Sequence, residues 1–244
     1  MLKKTLLLLL VASSLALTDN SPKHPFSPSG FTFTRLMYPS LGWRGASWAV
    51  DYPKADKQFI FVLQKYSELY FVHDENVTLR LDDPELFHYP FLYAVEVGYM
   101  DLSDEDARRL REYLMRGGFL VVDDFHGTYE WQNFYTQIKK VLPEYEPHDL
   151  PLSHPIFHCF YDIQELIQVP GIQYLRSGRT WEKDGYDARY MGIEDDAGRL
   201  MVMINHNVDL GDAWEWAEVE EYPREYARMA FELGSNYIIY AMTH

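Results

Sequence analysis

The carboxylate pair Asp123-Asp124, with His126 two residues on, is the sharpest chemical feature of this sequence. It follows the apolar run Phe119 to Val122, so a strand delivers both acids to one edge of a sheet. Two carboxylates beside an imidazole can hold a divalent cation or exchange protons as acid and base. Only one of two adjacent residues leaving a strand turns easily into a cleft. The other is expected to cap the following helix, or to pair with a cation such as Arg35, which would hold the carboxylate ionised. The candidates for catalysis are therefore Asp123, Asp124, His126 and His154. The residues expected to bind a ligand are Arg35, Tyr38, Asp123, Asp124, His154, Asn207 and Asp209.

Other combinations are weaker. His154-Pro155-Ile156-Phe157-His158 sets two histidines four apart, the spacing at which a helix turns both toward one metal. Pro155 opposes that helix, so no zinc site is expected there and a structural turn at His154 is the simpler role. Cys159 is the only cysteine, which rules out an intramolecular disulfide. It lacks a strand-turn-helix setting and is read as a buried thiol, not a nucleophile. Trp43, Trp48, Trp181 and Trp214 could stack on sugars, although core packing accounts for most such rings. There is no glycine-rich phosphate loop and no G-x-S-x-G elbow.

The elements that must position these residues read as an α/β chain. Phe31 to Tyr38 is the first expected strand, and Pro53 opens a helix with Phe59, Val62, Leu63 and Tyr66 in register. Leu69 to Val72 and Val77 to Leu81 are short strand candidates, and Phe91 to Val97 reads as a strand buried on both faces. Ser103 with Asp106 three residues on starts a helix that Gly117-Gly118 ends, and Phe119 to Val122 follows as a strand stopping at Asp123. Strand, helix and strand in this order give a right-handed parallel crossover. A helix carries Trp131, Phe134, Ile138 and Val141 up to Pro143, and a short helix is expected near Gln164. Arg189 to Ile193 and Leu200 to Ile204 form a hairpin turning at Ala197-Gly198, and Pro223 to Met242 is a closing helix. Ligands of open parallel sheets sit outside the carboxyl ends of the strands, which is why Arg35, Tyr38, Glu96, Tyr99, Asp123, Asp124, His126, Asn205, His206, Asn207 and Asp209 are expected to converge.

The net charge is −15, with no run of Lys or Arg, so nucleic acid is not an expected partner. Lys3 and Lys4, the apolar run Leu6 to Ala12 and the small residues Ser14-Leu15-Ala16 have the layout of a secretory signal. Residues 1–18 are read as that signal, 19–30 as a flexible tether and 31–244 as one domain. The chain is then exported, periplasmic or extracellular. The apolar run is shorter than the roughly 20 residues a membrane helix needs, so no span is expected after cleavage, retention as an anchor being the alternative.

Arg35-Leu36-x-Tyr38, Trp48-x-x-Asp51-Tyr52-Pro53-x-Ala55-Asp56, Tyr89-Pro90-Phe91-x-Tyr93 and Leu110-Arg111-x-Tyr113-Leu114-x-x-Gly117-Gly118-Phe119-Leu120 together resemble the bacterial domain of unknown function 4159. So do Asp123-Asp124, His154-Pro155-Ile156-Phe157, Asn207-x-Asp209-x-Gly211 and Gly234-x-Asn236. The resemblance runs from about Phe31 to the C-terminus. It implies an open, mostly parallel sheet of the flavodoxin-like or class I glutamine amidotransferase-like kind, a three-layer sandwich with a hairpin and helix toward the C-terminus. In those amidotransferases a cysteine follows the strand equivalent to Phe119 to Val122. Here that turn holds Asp123-Asp124, so glutaminase chemistry is not expected.

The expectation from all of this is a non-catalytic module of the cell envelope that binds a small ligand or an envelope protein. A hydrolase, metal-assisted or not, built on an Asp/His site at the strand ends is the alternative. No cofactor is predicted, and a divalent cation is left open.

Overall fold

The computed structural model describes residues 30–41, 47–67, 69 and 71–244; the proposed signal, nearly all of the tether and Trp43 lie outside the described residues. Its strands are β1 (Thr34–Met37), β2 (Val77–Arg80), β3 (Phe91–Val95), β4 (Phe119–Phe125), β5 (His148–Asp149), β6 (Arg189–Glu194) and β7 (Leu200–His206). They form a seven-stranded sheet in the order β2-β1-β3-β4-β7-β6-β5. From β2 through β7 the neighbours are parallel, whereas β6 runs antiparallel to both β7 and β5.

Parallel neighbours require crossovers. These are α1 (Lys54–Tyr66) between β1 and β2, α2 (Asp104–Met115) between β3 and β4, and α3 (Gly127–Val141) after β4. The short α4 (Tyr174–Ser177) precedes β6, and α5 (Leu210–Glu215) and α6 (Arg224–Thr243) follow β7. Phe59 of α1, Trp214 of α5 and Leu233 of α6 pack on one face of the sheet with Phe91, Tyr93 and Val121. Leu110 and Leu114 of α2 and Phe134 and Ile138 of α3 pack on the other with Leu92, Ala94 and Leu120. The result is an α/β three-layer open sandwich. Among the described residues no helix is long and apolar enough to cross a membrane.

Local chemistry explains the boundaries. Ser103 Oγ accepts the Asp106 amide at 3.1 Å and Asp106 Oδ2 accepts the Ser103 amide at 3.1 Å, a reciprocal cap that fixes the start of α2. β4 runs further than the apolar pattern indicates, because the Asp123 backbone still pairs with Val95 and the register slips only between Val122 and Phe125. The strand expected at Leu69 to Val72 is reduced to a bridge between Phe31 and Val72. The helix expected near Gln164 is absent, since that stretch is irregular. The hairpin is present, but β7 lies in the middle of the sheet beside β4, so its apolar residues are covered on both sides.

Arg35, the second residue of β1, is completely buried. Its partner is Asp56 of α1, with Nε 3.0 Å from Oδ1 and 3.2 Å from Oδ2, and its Nη1 donates to the Trp48 and Val50 carbonyls at 3.0 and 2.9 Å. Asn76 donates to Asp56 Oδ2 at 2.9 Å. A buried pair with its remaining valences satisfied is costly to break from one side, because the surviving charge has no solvent. Asp56→Leu is expected to lower the unfolding free energy by about 3–5 kcal/mol, whereas Arg35→Met/Asp56→Leu together lose less. Urea denaturation of the three proteins measures this, and a double variant as unstable as the single one contradicts it.

Candidate functional site

The carboxyl ends of β3, β4 and β7 are stitched together by one buried carboxylate. Asp123 Oδ2 accepts the Tyr93 hydroxyl at 2.7 Å and the Leu210 and Gly211 amides at 2.9 and 3.2 Å, and the Asn205 side chain faces the same group. Burial pushes the acid up to about 6 against the pull of these donors. The Tyr93 ring also carries the Arg35 guanidinium at 5.2 Å, so Arg35 and Asp123 touch the same side chain.

Beside this knot lies a cluster of acids. One ligand oxygen from each of Asp51, Asp124 and Asp209 falls within 4.8 Å of the other two, and Asp51 forms a second such group with Asp212 and Glu215. Asp209 caps α5 by accepting the Asp212 amide at 2.7 Å, while Asp212 accepts the Ile172 amide at 2.6 Å and the Trp216 indole at 3.0 Å. Asp51 Oδ2 is buried and has no hydrogen-bond partner among the described residues. Two glycines make room for these oxygens: a Cβ on Gly211 would stand 2.5 Å from Asp51 Oδ2, and one on Gly171 2.5 Å from Asp209 Oδ2. The backbone is also bent for the purpose. Asp51, Glu96, Asp124 and Asn207 have φ of 61°, 52°, 52° and 62°, a region that side chains with a Cβ seldom adopt.

The predicted residues are partly assembled here. Asp123, Asp124 and Asp209 meet at the rim, and Arg35 supports it from below through Tyr93. His126 joins them, its Nε2 lying 3.2 Å from Asp124 Oδ1. Tyr38 is turned to the α2 and α3 side, where its hydroxyl donates to the Val95 carbonyl at 2.5 Å. Asn207 spends both ends of its amide on the backbone, accepting from Gly127 at 2.8 Å and donating to Asp187 at 2.8 Å. His154 is elsewhere: its Nε2 is 3.5 Å from Glu194, the last residue of β6, which pairs with Leu200 at the amino end of β7, away from the rim. The antiparallel course of β6 accounts for that separation. The expected cap from Asp123 or Asp124 to α3 is supplied instead by Asp184, which accepts the Thr128 amide at 3.0 Å. Arg35 binds neither aspartate directly, since Asp56 already occupies it.

Cys159 is half-buried against α6, with Sγ 3.1 Å from the Asn236 carbonyl, and burial pushes its thiol up to about 11. Trp214 is core, stacked on Phe59 at 4.2 Å. Asp51, Asp212 and Glu215 were not singled out from the sequence. The Asp209-x-x-Asp212-x-x-Glu215 spacing, which runs acids along one side of a helix, is the signal that points to the last two.

Electrostatics make the cluster costly when empty of positive charge. Burial, then Asp124 and Asp212, push Asp51 up to about 9. Burial raises Asp124 and Asp209 well above the usual carboxylate range, with Glu96 the next cause for Asp124 and Asp124 for Asp209. Raised folded-state values mean that the folded chain holds more protons than the unfolded one, so stability is greatest below about pH 4 for these groups and is lost as they ionise. In chelated buffer the unfolding free energy is therefore expected to fall between pH 5 and 9, through about 6 for Asp123 and about 9 for Asp51. Asp123 alone accounts for ~3 kcal/mol. Denaturant titrations across this range test the sign, and stability that rises with pH would contradict the charge assignment.

A search of curated proteins finds no match to this chain. Residues 32–242, which include the Asp123 knot and every member of the carboxylate cluster, match the model of the domain of unknown function DUF4159, and the chain belongs to that family.

Proposed function

We propose that this domain is a non-catalytic binding module whose buried carboxylate cluster at the rim receives a cationic ligand, in the simplest case a divalent metal ion. The observation that carries the reading is the grouping of Asp51, Asp124 and Asp209, with no ion pair to Lys or Arg among the described residues. Two oxygens on opposite sides of one calcium ion stand roughly 5 Å apart, so three oxygens within 4.8 Å of one another suit a single ion. Arg35, the buried cation below the site, is committed to Asp56. The amidotransferase likeness supports no glutaminase reading, because Cys159 is held against α6 and not at the turn after β4. The signal-like layout of residues 1–18 supports export and an envelope setting for the ligand, and N-terminal sequencing of the protein recovered from the envelope fraction tests it.

A metal-assisted hydrolase is the second reading, favoured by the 3.2 Å contact between His126 and Asp124. Cation-dependent hydrolysis of an ester, amide or glycoside panel by the wild-type protein, lost in His126→Gln, would move the assignment to it.

Titration calorimetry with calcium, magnesium and manganese is expected to detect binding that strengthens from pH 6 to 8 and releases about one proton or more, as the ion displaces those held by the raised acids. At a hundredfold excess over Kd the ion contributes about 2.7 kcal/mol to stability, a rise in Tm of roughly 5–10 °C. Asp209→Asn should abolish the response. Equal responses in the wild type and this variant would sink the proposal.

A further inference from the structure

Asp124 and Asp209 are 7% and 3% exposed, so a ligand reaches them only if something moves. The segment between α4 and β6 borders them through Asn207 and Glu130. Its ends are tied down: Gln168 Oε1 accepts the Thr180 hydroxyl at 2.7 Å, Gln168 Nε2 donates to the Gly185 carbonyl at 3.0 Å, and Asn207 donates to the Asp187 carbonyl at 2.8 Å. The tip, Trp181 to Asp184, is held differently. Lys183 forms an ion pair with Glu130 of α3, and both oxygens of Asp184 engage Thr128. Glu130, beneath Lys183, accepts the His126 amide at 2.6 Å, and His126 lies 3.2 Å from Asp124, which sets the tip beside the carboxylate cluster.

We propose that Trp181–Asp184 is a hinged flap that gates the carboxylate cluster and is latched by the Lys183–Glu130 and Asp184–Thr128 contacts. Between Arg179 and Asp187 only Gly185 is buried; Trp181 is half-buried and rests against Tyr186 of the same segment, so lifting the flap exposes little apolar surface. Gly178 precedes it with φ of 66° and open space around its Cβ position, a natural pivot. Lys183 is itself left-handed, with φ of 51°, a conformation that the latch sustains and that opening relaxes. Glu130 is 1% exposed under Lys183, so lifting the flap hydrates a carboxylate that is otherwise sealed. Closed and open states thus differ in polar contacts and backbone strain, and salt weakens the closed one.

The proposal rests on the cation-binding reading only for the identity of what passes the flap. A staple separates the two. In Thr128→Cys/Asp184→Cys the flap is locked when oxidised and free when reduced. Labelling of the folded full-length protein with a water-soluble carbodiimide, mapped by mass spectrometry, reports access to Asp124 and Asp209 whether or not any cation binds. Oxidation is expected to slow labelling of both at least tenfold, with recovery on reduction, and manganese should associate correspondingly more slowly with the oxidised form. Lys183→Ala, in the unstapled chain, should speed labelling several-fold at 10 mM salt and bring it to the wild-type rate at 500 mM. Labelling unchanged by the staple would overturn the flap. Absence of manganese binding in every form, with labelling still controlled by the staple, would overturn the cation reading and leave the flap standing.

Discussion

The Asp123 carboxylate is the interaction on which the rim depends. It sits at the end of a strand buried on both faces, where an acid is expensive, and it is tolerated because one oxygen collects a tyrosine hydroxyl from β3 and two amides from the start of α5. Those bonds decide where α5 begins, and α5 in turn fixes Asp209, Asp212 and Glu215. Tyr93 passes the constraint to Arg35 and hence to Asp56 and α1, just beyond Asp51. The cluster is thus assembled from three segments far apart in the sequence that are referred to a common anchor.

The anchor creates an imbalance that it does not resolve. Among the described residues Arg35 is the single positive charge buried in this network, and Asp56 takes both its Nε and Nη2. Asp51, Asp124 and Asp209 are left to repel one another in a region of reduced dielectric, where like charges raise each other's proton affinity. A folded chain can relieve that repulsion by holding protons or by holding a cation. The first costs the site nothing at acidic pH, and the second becomes the stronger as pH rises, which is why proton and ligand compete for the same oxygens.

Much of the scaffold was legible in the residues. The apolar runs at Phe91 and Phe119 announced doubly buried strands, the Ser103 and Asp106 spacing announced a helix start, and Asp123-Asp124 announced a polar strand end. What could not be read were the long-range choices. Asp123 and Asp124 each seemed able to cap α3, yet the cap comes from Asp184, a residue whose position depends on how the loop before β6 folds back. His154 was grouped with the rim on the assumption that parallel strand ends collect polar residues. It packs beside Glu194, which lies away from the rim because β6 runs antiparallel to β7, and no periodicity encodes which way a strand runs. Arg35 pairs with a different acid for a similar reason: Asp56 lies in the first turn of α1, and only the sheet-to-helix packing brings it over β1.

The distribution of strain argues that these features belong together. Among the described residues, five without a glycine's freedom take left-handed backbone: Asp51, Glu96, Asp124, Lys183 and Asn207. Four stand at the carboxyl rim and the fifth on the loop that borders it, whereas the region of His154 and Glu194, away from the rim, has none. Each such residue costs on the order of 1 kcal/mol relative to a relaxed turn. A fold indifferent to this edge would shed that cost with a glycine or a longer loop, as it does at the Gly198 turn of the β6–β7 hairpin. At Asp51 and Asp124 a glycine would remove the carboxylate itself, so the backbone distortion and the clustered negative charge are two consequences of placing the same side chains in one small space.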